Sequence, residues 1–492
     1  MASVTRSKNT RDSEAVLDRA VAACRKRDVL VPTFAQLRDP SLIPESVRAR
    51  LKKTELSAVD PVNLFRIGWH NDVKTGLFGD VNALEIPREL TGLKSRVIGL
   101  VGKHFPTGAH KVGAAFGCLA PQLVSGKFDP SSQKAVWPST GNYCRGGAFD
   151  SALLGCASVA ILPEGMSRER FEWLKSIGSE VIATPGTESN VKEIYDKCDE
   201  IRRTRKDCVI FNQFAEFGNP SWHYHVTGPA IEEAFRKAKN PSCRLAGFVS
   251  ATGSAGTIAA GDYLRTKFPM IRVAAVEPVQ CPTLFANGFG EHRIEGIGDK
   301  HVPWIHNLRN TDMVVAVDDE SCIRILRLFN EPPGRKALAA EGLDPKSIES
   351  LQLLGISGIC NLIASIKLSK HYQLGADDVV FTVFTDSVEL YRSRLAELSA
   401  GRGEYSAAQA GSDLEGRLRG AGTDWLKELG LREREAIHNL KYFTWVEQQG
   451  KTSDELRRLW DPSFWEETFA QAPQWDRQIA QFNRATGLSG KS

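Results

Sequence analysis

The stretch KAVWPSTGNYCRGGAFDSALLGCASVAILPE, residues 134–164, decides the fold. It opens on an apolar run (134–140) and breaks at Ser139, Thr140, Gly141 and Asn142. It then passes through a helical length of mostly small residues and closes on a second apolar run (158–164). Apolar runs of this length with no alternation read as strands buried on both faces, as in parallel sheets. The rhythm continues outward. Further strands are predicted at 180–186, 208–214, 246–252, 272–278 and 378–386, with helical stretches such as 167–178 and 225–239 between them. Strand and helix in alternation from about 96 to 390 predict an α/β protein with parallel sheets. Ligands in such sheets bind beyond the carboxyl ends of the strands, so the loops there are where chemistry is expected.

Three of those loops carry small polar residues. Ser139, Thr140, Gly141 and Asn142 open a helix, where exposed amides and hydroxyls make either an anion site or an ordinary cap. Gly253, Ser254, Ala255, Gly256 and Thr257 also follow a strand and open a helix. Their small side chains let backbone N–H groups close around a phosphate, although neither a Walker loop nor a G-x-G-x-x-G fingerprint is present. Ser387 follows the last strand in TDSVELY (385–391), as a helix cap or as a hydroxyl contact for a ligand. Lys111, in HFPTGAHKVGAAFG (104–117), sits between a turn and a run of small residues. It reads either as a snorkelling surface lysine or as a desolvated amine able to form a Schiff base.

The rest of the chain bounds the function class. It has 492 residues, 42% hydrophobic and 25% charged, with 63 basic against 59 acidic residues. That balance offers no basic tract for nucleic acid, and no run reaches the roughly 18 apolar residues of a membrane span. The N-terminus lacks an apolar leader core, so a soluble cytoplasmic protein is expected. Ten cysteines without any C-x-x-C fit buried thiols better than disulfides or zinc, and His223 with His225 lack a third ligand, so no metal is expected. Residues 1–95 read as a lead-in packing on the core. Residues 396–424 are rich in Gly, Ser and Ala and read as a linker. Residues 425–492 carry five of the ten tryptophans and read as a helical extension packed on the core or on a second subunit.

Five ordered blocks carry a resemblance. LPEGMSRERFEWLKSIGSEVIATPG (162–186), NQFAEFGNPSWHYHVTGPAIEEAF (212–235), AAVEPVQCP…HRIEGIGDKHVP (274–303), LLGISGICNLIASIKLSK (353–370) and TDSVELY (385–391) are in one register. Together they resemble the fold-type-II pyridoxal-phosphate enzymes, in particular cysteine synthase and cystathionine β-synthase. The resemblance implies the tryptophan synthase β-like architecture over 96–395: two parallel-sheet α/β subdomains, the smaller at about 130–232. It implies pyridoxal 5′-phosphate held by Lys111, with Asn142 at its 3-hydroxyl, Gly253 through Thr257 at its phosphate and Ser387 at its ring nitrogen. Ser139, Thr140, Gly141, Asn142, Tyr143, Gln213 and Gly296 fall at the substrate, and a homodimer is implied. The implied reaction is β-elimination or β-replacement on a serine-, O-acetylserine- or cysteine-like amino acid through an aminoacrylate, with a thiol or other nucleophile as second substrate. A serine or threonine ammonia-lyase and a binding protein that keeps the fold stay open as alternatives. TGAHK around the lysine is closer to tryptophan synthase β, and Thr385 stands where relatives have proline. Tyr143, Cys144 and Arg145 replace a small or aliphatic run. Arg145 therefore either points to solvent or enters the cleft and selects an anionic partner.

Overall fold

The computed structural model describes residues 2–139, 141–186, 191–238, 240 and 242–488. Thr140 lies outside the described residues. The α/β rhythm builds two main sheets. The larger runs in the order Leu426–Glu428, Met313–Val317, Arg272–Pro278, Arg244–Ala251, Asp378–Phe384, Arg96–Val101 and Ala83–Ile86. Its five inner strands are parallel and its two outer strands antiparallel. The smaller sheet runs Glu180–Thr184, Ala157–Pro163, Lys134–Pro138 and Cys208–Ile210, all parallel. Apolar side chains on both faces explain the unbroken strand runs: Val273 and Ala275 enter one core, Ala274 and Val276 the other.

The small residues around Lys111 serve helix packing. Helix Lys111–Val124 lies against helix Asn142–Leu154, with Gly146 pressed on the backbone of Val112. A Cβ at Gly146 would stand 2.6 Å from the Val112 Cα and 2.7 Å from its nitrogen. On a neighbouring face, Gly117 meets the Gly218 carbonyl of helix Gly218–Trp222. Only glycine permits such approaches. They set the N-termini of the first two helices, and so Lys111 and Asn142, side by side.

The ends of the chain differ from expectation in detail. Residues 396–424 are not a flexible coil. Most of them lie in the helical segments Arg392–Arg402, Ala407–Asp413 and Leu414–Arg419, and Ala410, Leu414 and Leu418 are buried in the core. The C-terminal extension is largely helical, but it also gives the larger sheet its edge strand Leu426–Glu428, paired with Met313–Val317. Its last helix, Ala472–Thr486, meets the lead-in: Asp476 accepts from the Phe34 and Ala35 amides at 2.7 and 3.1 Å. Among the described residues no single helix is long and apolar enough to cross a membrane.

Candidate active site

A narrow cavity opens between the two sheets. Lys111, at the first position of its helix, lines it. So do Ser139, Asn142, Tyr143 and Gln213 from the smaller-sheet side, and Gly253, Ser254 and Gly296 from the larger-sheet side. Eight residues scattered over 185 positions of sequence thus meet around one cleft: seven sit just past the carboxyl end of a strand or at a helix N-terminus, and Gly296 comes from the loop between Ala286 and Leu308. The Lys111 amine donates to the Ser254 hydroxyl at 3.2 Å. Asn219 supports the same oxygen at 3.0 Å while its Nδ2 also donates to the Gln213 carbonyl at 2.9 Å.

The remaining loop residues sit behind this wall. Gly141, Ala255, Gly256, Thr257 and Ser387 do not line the cavity. Ala255 adopts a left-handed φ of 62°, which curls the loop. Among the described residues, the backbone N–H groups of Gly253 through Thr257 donate to no protein acceptor. These five amides precede helix Ala259–Lys267, a placement in which backbone N–H groups are able to receive an anion. Thr257 is fixed from behind: His110 Nε2 lies 3.2 Å and His223 Nε2 3.4 Å from its hydroxyl. Burial pushes His110 down to about 3 and His223 well below its usual range, so both imidazoles are uncharged at neutral pH. His225 faces elsewhere, to the Phe469 carbonyl at 2.7 Å.

Ser387 is buried and makes no side-chain cap bond. It is Thr385, two residues earlier, that reaches the cavity wall. Asp386, between them, is fully buried and accepts from Asn142 Nδ2 at 2.6 Å and from the Tyr391 hydroxyl at 2.8 Å. Burial raises its carboxyl above the usual range, and the nearby Arg170 opposes that rise. Arg170 in turn pairs with Glu295 and donates to Tyr391 at 3.2 Å. This buried network fixes the Asn142 amide and leaves its Oδ1 without a partner among the described residues.

Arg145 takes neither expected place. It is buried, yet it does not line the cavity; its guanidinium lies 4.6 Å from the centre of the Trp173 ring. Burial lowers its pKa to about 10. Tyr143 does line the cavity, while its hydroxyl donates to the Phe211 carbonyl at 3.2 Å. Asp299, Thr385, Asn219 and Asp386 escaped sequence reasoning. Asp299 directly follows the Gly296–Gly298 turn, where φ of 95° and 75° require glycine, and that turn was the available signal.

These groups fit pyridoxal phosphate: an amine bonded to Ser254 of the loop with unpaired backbone amides, a lining asparagine whose Oδ1 lacks a partner among the described residues, and the Ser139, Ser254 and Thr385 side chains beside them. The comparisons with known proteins agree. The family described as "Pyridoxal-phosphate dependent enzyme" matches residues 100–386. A probable cysteine synthase of Bacillus subtilis is 30% identical over 289 residues, covering 58% of this chain and 85% of that protein. Cystathionine beta-synthase of Saccharomyces cerevisiae is 25% identical over 322 residues, 64% of this chain and 60% of that protein. Among solved structures, an O-acetylserine dependent cystathionine beta-synthase from Helicobacter pylori superposes with a TM-score of 0.54 at 24% identity. That match covers 63% of this chain and 95% of the other. A hydrogen sulfide-producing enzyme from Fusobacterium nucleatum gives 0.54 at 23% identity, over 63% and 95%. A family match over more than half the chain, on an α/β scaffold with a lysine lining the cleft between its two sheets, makes this protein a member of the pyridoxal-phosphate dependent enzyme family.

Proposed function

We propose that the protein catalyses β-elimination or β-replacement on a serine-, O-acetylserine- or cysteine-like amino acid, with a thiol or another nucleophile as second substrate. The observation that carries this reading is the Lys111 amine set 3.2 Å from Ser254 across a cleft walled by Asn142 and Gln213. The cysteine synthase relatives support the choice of the β-carbon. Bound there, pyridoxal phosphate supplies the electron sink that weakens the bonds at the substrate α-carbon.

The chain's own residues do the rest. Lys111 is the attachment point and, once displaced by the substrate amine, the base that takes and returns the α-proton. The free amides of Gly253 through Thr257 anchor the phosphate, and the two neutral histidines keep the Thr257 hydroxyl in place without adding charge. Ser139, Gln213 and the N-terminus of helix Asn142–Leu154 receive the substrate carboxylate. Asn142, held by Asp386, addresses the cofactor's 3-hydroxyl. Thr385 and Ser387 are both hydroxyls on the segment assigned to the ring nitrogen, and neither carries a charge that would hold that nitrogen protonated. Val191, Phe214 and Ile297 line the same cavity and exclude water.

The test is direct. The purified protein absorbs visible light, and borohydride fixes the cofactor on a peptide containing Lys111. Lys111→Ala abolishes that fixation. Normal fixation in the variant, or a colourless wild type, refutes the assignment. Product analysis with and without an added thiol then separates replacement from elimination to a keto acid and ammonia.

A further inference from the structure

The roles above leave one buried group in the cleft unused. Asp299 lines the same cavity as Lys111 and is 7% exposed. The His301 amide donates to its Oδ1 at 3.0 Å, which fixes the carboxylate. Its Oδ2 is buried and accepts no hydrogen bond among the described residues. A carboxylate oxygen removed from water with no donor is costly to keep, so such an oxygen on a cavity wall is matched to a donor that arrives with the ligand.

The surroundings narrow what that donor is. Asp299 is the one carboxylate among the described residues lining the cavity, beside the apolar Val191, Phe214 and Ile297. The groups suited to the substrate carboxylate come from the smaller-sheet side, through Ser139, Gln213 and the N-terminus of helix Asn142–Leu154. The guanidinium that could make the cleft attractive to a second anion, Arg145, is spent on the Trp173 ring. The expectation of an anionic partner built on Arg145 is therefore reversed.

We propose that Asp299 reads the substituent on the substrate β-carbon, or the group that replaces it, favouring an ammonium or hydroxyl and rejecting a carboxylate. This rests on the reading of the cleft as an amino-acid β-carbon site. It names the class of substrate: a donor-bearing β-substituent of neutral or positive charge.

The experiment uses the holoenzyme and three probes of similar size: L-2,3-diaminopropionate, L-serine and L-aspartate. Dissociation constants come from calorimetry and from the change in visible absorption on binding. In the wild type, diaminopropionate binds tightest and aspartate weakest. Asp299→Asn reduces the diaminopropionate-to-aspartate preference by about ten- to a hundredfold, the range for a hydrogen bond to a charged group. Asp299→Glu, which keeps the charge, keeps the direction of the preference. A coloured Asp299→Asn variant with the wild-type preference overturns this proposal alone, leaving the assigned function standing. So does a wild type that binds aspartate as tightly as diaminopropionate, with no variant needed. A colourless wild type overturns both readings.

Discussion

Gly146→Ala tests whether close helix contact, rather than any group touching the substrate, sets the distance between Lys111 and Asn142. The added Cβ would stand 2.6 Å from the Val112 Cα. Relaxed carbon contacts lie near 3.5–4 Å, so the helices must part by about 1 Å. Overpacking of this kind costs roughly 1–3 kcal/mol, partly offset by about 0.5–1 kcal/mol from alanine's better helix propensity. The larger effect is on turnover. A displacement of about 1 Å between a base and the atoms it serves costs on the order of a hundredfold in rate. The control is Gly411→Ala, in helix Ala407–Asp413, where a new Cβ meets nothing within 4 Å. That variant gains only the propensity, about 0.5–1 kcal/mol, with unchanged turnover. The assay pairs denaturant unfolding with steady-state kinetics, and visible absorption verifies cofactor loading. A Gly146→Ala enzyme of wild-type turnover refutes the argument. So does one that loses stability without losing rate.

Two further predictions concern the C-terminal extension. Lys441 is fully buried, donates to the Trp304 and His306 carbonyls at 3.0 and 2.8 Å, and is pushed by burial from 10.5 down to about 7. The unfolded chain then binds one more proton than the folded one between those values, so this residue makes stability rise with pH across that window, by about 1.4 kcal/mol per unit. Lys441→Met loses that slope in unfolding measurements from pH 7 to 10; an identical pH profile refutes the assignment. Trp445 donates from Nε1 to the buried Val302 carbonyl at 2.9 Å, so Trp445→Phe lowers stability by about 1–3 kcal/mol in denaturant titrations, and an unchanged midpoint counts against the contact.

The inner strands were legible because burial on both faces leaves an unbroken apolar run; RVAAVEP is a strand over all seven of its residues. The cavity lining was legible where an apolar run breaks at a strand's carboxyl end, as for Ser139 and Gly253. It failed where direction decides. Arg145 and Tyr143 are two apart on one helix, yet one meets an indole and the other the cleft. Ser387 and Thr385 are two apart on an irregular segment, and the phase of that segment is not written in its composition. Asp299 carried no signal of its own, since one carboxylate in an irregular stretch has no periodicity to place it. The strand Leu426–Glu428 escaped because an edge strand in LKE shows no apolar run, only a partner already in place.

That edge strand bears on solubility rather than on chemistry. Both outer strands of the larger sheet are short and antiparallel, and both carry charge: Glu85 on one, Lys427 and Glu428 on the other. They close off Arg96–Val101 and Met313–Val317, whose open hydrogen-bonding edges would otherwise recruit strands from other chains. The family match runs from 100 to 386 and includes neither cover. The stretch matched to the family is thus not the stretch that covers the sheet's outer edges, and the outer edge of the MVVAV strand is paired by residues from beyond that match.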